Sequence, residues 1–290
     1  MSESQPVVSV AWLPLTPYGV AAFAQGSFAR LATVLLAVAA LFAAVTVWFL
    51  CACWVPVMSE AVHRLPEKAA ITGGALSWEA DTPVRLGENK WLAVVVDARD
   101  AEAAGRVADL EVVLGGRRLA VASLLGSSGF RYARDWNISL NRGDWLPWWG
   151  AWRWPILAVV AVATSAGLLI GWFLLAALYA PFLRAICVRA ERSVSCRGAW
   201  QMSAAALMPG AFLLMIGVVS YGLGFIDLIH LGMCYALHLL TGWFFLVLSP
   251  FFLPNQTTAG PRRNPFADVP AAPAALPEKS ETKNPFASPE

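Results

Sequence analysis

Four long apolar runs constrain this chain more than any other feature. A helix needs about 20 consecutive apolar residues to cross the hydrocarbon core of a bilayer, and residues 31–57, 154–183, 200–223 and 226–253 each provide such a run. The chain is 58% hydrophobic and 14% charged, well below the roughly 25% charge of an ordinary soluble domain. The sequence therefore predicts an α-helical integral membrane protein with four transmembrane helices.

The segment between the first two apolar runs has a different composition. Residues 60–153 contain twelve Lys or Arg and twelve Asp or Glu, the charge density of a solvated domain without net charge. Patterns of apolar and turn residues predict strands at 70–78, 91–96, 110–114, 117–122 and 130–140, with a short helix at 100–108. We expect Gly115 and Gly116 to form a hairpin turn with positive φ at both glycines. The result is a small, mainly β domain over residues 60–150.

Arginines predict how the chain is oriented. Short cytoplasmic loops are enriched in Lys and Arg, and residues 184–199 hold four arginines against one glutamate. We therefore expect both termini in the cytoplasm, residues 60–153 outside and the cell membrane as the location. The first apolar run starts too far into the chain and is too long for a cleaved signal peptide, which favours a retained helix.

The two ends of the chain are more polar. Residues 1–30 form a predicted cytoplasmic leader, in which Thr16-Pro17 is a good helix start. That helix either lies on the inner membrane surface, presenting Tyr18, Phe23 and Phe28, or is loosely ordered. Residues 255–290 are rich in Pro, Ala and charge, a composition typical of a disordered tail.

The tail contains a repeated Asn-Pro-Phe tripeptide, which resembles the motif read by eukaryotic endocytic adaptor domains. Two copies would raise the avidity for a protein partner, while chance recurrence in a Pro/Ala-rich tail is the other interpretation. The copies are Asn264, Pro265 and Phe266, and Asn284, Pro285 and Phe286.

The fourth apolar run contains the most polar helix face. At 100° per residue, its ionisable and thiol side chains fall on one narrow stripe. One interpretation is a metal site or proton pathway, because His and Cys are natural ligands. The other is neutral histidines hydrogen-bonded across a helix interface. The four residues are Asp227, His230, Cys234 and His238.

Two further patterns concern the membrane. Five tryptophans within ten residues precede the second apolar run and predict an interfacial belt, with an aromatic ligand platform as the alternative. Gly167 and Gly171 have GxxxG spacing, which indicates a seam of the helical bundle or self-association. Pro209 should kink the third helix. The five tryptophans are Trp145, Trp148, Trp149, Trp152 and Trp154.

One family resemblance is carried by the order of the motifs. The first helix is followed by Leu65-Pro66-Glu67, by residues 71–76 and by residues 92–97. This order resembles bacterial membrane proteins of the maltodextrin-utilisation type over residues 20–125. The resemblance implies a bacterial cytoplasmic membrane and no known activity, so no residue roles follow from it.

Two hypotheses for function follow. The first is a non-enzymatic accessory, sensing or scaffolding protein with an outward-facing recognition domain and a cytosolic or membrane protein partner at the tail. The second is a small transport or metal- or proton-handling protein using the fourth helix. No nucleophile is paired with a base, so the sequence predicts neither an enzyme nor a cofactor. A net charge of +2 without a basic stripe argues against nucleic acid, and the oligomeric state stays open.

Overall fold

The computed structural model describes residues 14–79, 83–98 and 107–254. Within these residues, four helices are long and apolar enough to cross a membrane, as predicted. They are Phe28–His63, Arg142–Arg189, Cys196–Gly222 and Leu228–Phe252. A small β region lies between the first and second of them.

The helical elements begin where the sequence supplies caps. At the starts of five helices, a side-chain oxygen accepts a backbone N–H group of the first turn. These capping residues are Thr16, Ser27, Asn141, Ser195 and Asp227. The helices are α1 (Pro17–Ala22), a 3-10 turn (Phe23–Gln25), α2 (Phe28–Phe49), a π-helical turn (Leu50–Trp54), α3 (Val55–His63), α4 (Arg142–Arg189), α5 (Cys196–Ala206), α6 (Met208–Gly222), α7 (Leu228–Leu248) and a 3-10 turn (Ser249–Phe252).

Two helices continue beyond the length that a membrane needs. The helix from Phe28 to His63 has 36 residues and α4 has 48, or about 54 and 72 Å at 1.5 Å per residue. The hydrocarbon core is only about 30 Å thick. In the first helix, the part beyond the membrane length is α3. In the second, it is the first part of α4, because α4 begins at Arg142, twelve residues before the predicted span. These two extensions carry the β domain.

The third span is the centre of the bundle. All residues of α5 from 198 to 206 except Trp200 are buried, and small alanine side chains allow neighbouring helices to approach closely. The helix is interrupted at Leu207, two residues before Pro209, because proline cannot donate the i→i−4 hydrogen bond. The interruption agrees with the irregularity that was predicted, as a kink, from Pro209.

The leader helix is present but packs differently from the prediction. Thr16 Oγ1 accepts the backbone N–H of Gly19 at 3.0 Å, which confirms the helix start. However, Phe23 is fully buried in the bundle core, and Phe28 is the first residue of α2. The prediction that this helix presents Phe23 was wrong, because Phe23 packs into the bundle, whereas Tyr18 and Phe28 are exposed.

The β region contains two small sheets. Strands are β1 (Ala70–Thr72), β2 (Ala75–Ser77), β3 (Val84–Glu88), β4 (Leu92–Asp97), β5 (Leu110–Gly115), β6 (Arg118–Ser123), β7 (Gly126–Arg131) and β8 (Asn137–Ser139). The orders are β2-β1-β8 and β3-β4-β5-β6-β7. All neighbours are antiparallel except β4 and β5, which are parallel.

The strand predictions agree with the structure better than the predicted turn of the β5–β6 hairpin does. Residues 70–78, predicted as a strand interrupted by a turn or bulge, form a hairpin with positive φ at Gly73 and Gly74, and β4 is the predicted buried strand. The β5–β6 hairpin is also present. Its turn, however, is Gly116-Arg117, and positive φ occurs at neither Gly115 nor Gly116. Residues 130–140 contain the end of β7 and all of β8, and most of the predicted helix at 100–108 lies outside the described residues.

The core of the β domain includes helix α3. Val57 and Ala61 pack with Leu86 and Val94 of the larger sheet. At Gly87 the strand approaches the helix so closely that a Cβ would lie 2.5 Å from the carbonyl oxygen of Val57. The sheet is therefore fixed directly to the extension of the first membrane helix.

Candidate functional site

Polar side chains of the β domain meet the membrane helices at one junction. It comprises the loop before β4, the start of β5, the π-helical turn and the segment between α6 and α7. These parts are distant in sequence and are joined by hydrogen bonds. We call this set of contacts the junction; its residues are Cys53, Asn89, Lys90, Trp91, Asp109, Tyr221 and Ile226.

The π-helical turn has a cause in the sequence. Pro56 has no N–H to donate to the carbonyl of Ala52, four residues earlier, and its ring would clash with that carbonyl in a regular α-helix. The chain widens to a π turn over Leu50–Trp54, and the helix resumes at Val55. Such π-bulges occur frequently at functional sites. The residues that contact this turn are therefore candidates for a functional role.

Asn89 connects the sheet to this turn. Its side-chain amide donates to the carbonyl oxygen of Cys53 at 2.5 Å. Its side-chain oxygen accepts the backbone N–H groups of Trp91 and Leu92, both at 2.9 Å. One side chain therefore shapes the loop before β4 and binds the irregular turn of the first membrane helix.

Trp91 and Tyr221 connect the sheet to the third membrane helix. The indole N–H of Trp91 donates to the carbonyl oxygen of Tyr221 at 3.1 Å. In the other direction, the Tyr221 hydroxyl donates to Asp109 Oδ2 at 2.8 Å. Lys90 Nζ reaches the carbonyl of Ile226 at 3.4 Å, just before α7. The junction thus contacts the first and third spans and the entry to the fourth.

Two of the five tryptophans pack against the protein, and the other three are exposed. The indole of Trp145 donates to the carbonyl of Ser139 at 2.6 Å, and that of Trp149 donates to Ser59 Oγ at 2.9 Å. These two rings therefore pack α4 against α3 and the β domain. The exposed members are Trp148, Trp152 and Trp154. Only these three present their rings to the surroundings, as an interfacial belt requires.

The polar residues of the fourth helix have separate surroundings. Asp227 caps α7, and its Oδ1 lies 2.9 Å from the backbone nitrogen and 2.7 Å from Nδ1 of His230. These hydrogen bonds, led by the backbone one, hold the pKa of the Asp227 carboxyl below its usual value. Cys234 packs against Gly217, and His238 Nδ1 contacts the carbonyl of its own neighbour Tyr235.

Helix capping and packing account for these contacts. Among the described residues, no three side chains of His, Cys, Asp or Glu are grouped so that they could hold a metal ion. The structure therefore brings Asp227 and His230 together and leaves His238 apart from them.

Two glycines of α6 lie in close contact with α7. At Gly210 and Gly217 of α6, an added Cβ would meet His238 and Cys234 of α7. At Gly167 and Gly171 of α4, by contrast, an added Cβ would meet nothing within 4 Å. The tight seam within the chain is thus α6 against α7, and the GxxxG pair of α4 faces outward.

A groove of about 670 Å³ lies between α4 and α5, at the end of the helices opposite the β domain. Arg184 and Arg189 line it together with apolar side chains, and Arg184 Nη1 donates to Cys196 Sγ at 2.9 Å. The side chains that line the groove include these two arginines but no Asp, Glu or His. The Asn-Pro-Phe copies at 264–266 and 284–286 lie outside the described residues.

Sequence reasoning did not find the junction. Asn89 and Trp91 flank a strand start, where polar residues are common, and nothing local marks their distant partners. Comparison with known proteins adds no further constraint, since no family model, curated protein or solved structure matches the chain. The resemblance to the maltodextrin-utilisation type therefore stays a prediction.

Proposed function

We propose that this chain is a multi-pass cell-membrane protein with a non-enzymatic sensing or scaffolding role. In this proposal both termini are cytoplasmic and the β domain is outside, where it recognises a component of the cell envelope. The junction transmits the position of that domain to the membrane helices. The observation that carries the proposal is the set of hydrogen bonds in which Asn89 and Trp91 donate to two membrane helices and Asp109 accepts from one of them.

The arginines support the proposed orientation. Arg184 and Arg189 lie in the last part of α4. Arg192 lies between α4 and α5, and Arg197 is the second residue of α5. This is the end of the bundle opposite the β domain. Short cytoplasmic loops are enriched in basic residues, which supports a proposed position of the β domain outside.

The contacts at the junction exceed what a tether requires. Residues 60–150 are already held covalently by α3 and α4, which enter and leave the domain. The hydrogen bonds between Trp91, Tyr221 and Asp109 add a noncovalent link to α6, a helix that is distant in sequence. A displacement of the sheet must therefore break or move contacts of α6, which gives the proposed coupling a contiguous physical path.

Hydrogen exchange in lipid nanodiscs tests the coupling. Trp91→Phe removes one neutral hydrogen bond, worth about 1 kcal/mol, so the end of α6 near Tyr221 should exchange about fivefold faster. Trp148→Phe is the matched control, because Trp148 is exposed on α4 and belongs to no junction contact. Equal exchange of α6 in the two variants would contradict coupling through the junction.

The tail provides a proposed route to the cytosol. Residues 255–290 follow the last membrane helix and carry the two Asn-Pro-Phe copies. On the cytoplasmic side, they would be available to a protein that reads a turn presenting a phenylalanine ring. This part of the proposal is separable from the junction and is tested by deletion below.

A further inference from the structure

The turn between β6 and β7 presents two leucines to the surroundings. Leu124 and Leu125 are 56% and 91% exposed, and Leu125 is the most exposed large apolar side chain of the described residues. Val121, in the strand that leads into this turn, is exposed as well. Single exposed apolar residues are normal, but a contiguous apolar patch marks an interaction site.

The junction fixes which end of the sheet faces the membrane. β4 begins one residue after Trp91, whose indole binds Tyr221 at the end of α6. β5 is parallel to β4 and begins one residue after Asp109, which binds the hydroxyl of the same tyrosine. Both strands therefore start at the membrane helices and run away from them.

The strand register places the apolar turn at that same end. Leu92 pairs with Leu110, Leu110 with Ser123, and Ser123 with Gly126, so one row of residues crosses four strands at the membrane-facing edge. The Leu124-Leu125 turn closes this row. With neighbouring strands about 4.8 Å apart, the turn lies about 10 to 14 Å to the side of β4.

Charge divides the hairpin along its length. Residues 119–130 contain no charged side chain, whereas Arg117, Arg118 and Arg131 are at the other end. The membrane-facing half is thus free of groups that are costly to bring into lipid, and the charged half points away. A turn that is exposed only to water would have no reason to exclude charged side chains from this half of the hairpin.

We propose that the Leu124-Leu125 turn inserts into the lipid leaflet on the β-domain side of the membrane. It would enter the boundary between headgroups and acyl chains, to a depth of about 5–10 Å as interfacial apolar segments do. The sheet is then held on the membrane at a further place, besides α3, α4 and the junction. The inference depends on membrane embedding but not on the coupling function.

A fluorophore at the turn tests this insertion in the full chain. Leu125→Cys is introduced with Cys196→Ser, because Cys196 is the exposed native thiol, and labelling of Cys196→Ser alone gives the background. The matched control is Arg117→Cys, in the turn at the opposite end of the sheet. Both are labelled with an environment-sensitive dye in phosphatidylcholine/phosphatidylglycerol vesicles containing lipids spin-labelled near the headgroup.

The expected result is blue-shifted emission and loss of intensity by lipid quenching at position 125, with neither at position 117. Equal, water-like emission at both positions would overturn the proposal. So would energy transfer between labels at position 125 that disappears on dilution with lipid, since it would show that a second copy covers the turn. Leu124→Cys provides the same test if Leu125→Cys fails to fold.

Discussion

Replacing Gly210 with alanine is expected to destabilise the helical bundle. A Cβ at position 210 would overlap the carbonyl oxygen of His238 and lie 3.3 Å from its carbonyl carbon. That oxygen belongs to the backbone, so α6 and α7 must separate. Overpacking of this kind costs about 1–3 kcal/mol, and the better helix propensity of alanine offsets up to about 1 kcal/mol. We expect a net loss of about 1–2 kcal/mol in the free energy of unfolding.

Gly167→Ala is the matched control for this substitution. Position 167 is also helical, but a Cβ there meets open space, so stability should stay constant or rise by up to about 1 kcal/mol. Both variants are unfolded reversibly by SDS titration from mixed micelles, which gives the free energy of unfolding. A loss at Gly167 with none at Gly210 would refute the assignment of the seam to α6 and α7.

Three further outcomes are expected. Asn89→Ala removes the donor to the Cys53 carbonyl and should cost about 1–3 kcal/mol, seen as faster hydrogen exchange of the β domain. The lowered pKa of Asp227 means that its cap contributes stability above the unfolded carboxyl pKa of about 3.9. Protection of the amides near His230 from hydrogen exchange, relative to their intrinsic exchange rates, should therefore be lost as the pH falls through the lower folded value. Deletion of residues 255–290 should remove a cross-linked cytosolic partner without changing the melting temperature, and a partner retained by the truncated chain would contradict tail docking.

Local and one-dimensional patterns were sufficient for much of the fold. The four apolar helices could be predicted because the requirement for apolar length acts on each segment by itself. The start of α1 at Thr16 and the break near Pro209 follow from single residues whose hydrogen bonding is fixed by their chemistry. The buried strand β4 was equally visible as an uninterrupted apolar run.

Rotation about a helix axis could not be predicted in the same way. Spacing shows that Gly167 and Gly171 share a face of α4, but not that this face points outward. The same applies to the tryptophans, of which Trp145 and Trp149 turn towards protein while their neighbours stay exposed. Which face is buried depends on packing partners that lie far away in the sequence.

The role of the π turn in the junction could not be predicted from local sequence, because it depends on tertiary contacts. Pro56 accounts for a π turn at Leu50–Trp54, yet only the fold brings Asn89 to the carbonyl of Cys53. A π turn holds one extra residue, so the helix beyond it is rotated by about 100° relative to an uninterrupted α-helix. That rotation sets which side of α3 meets the sheet. The position of the β domain and the geometry of the first membrane helix therefore depend on each other through the π turn and its contact with Asn89.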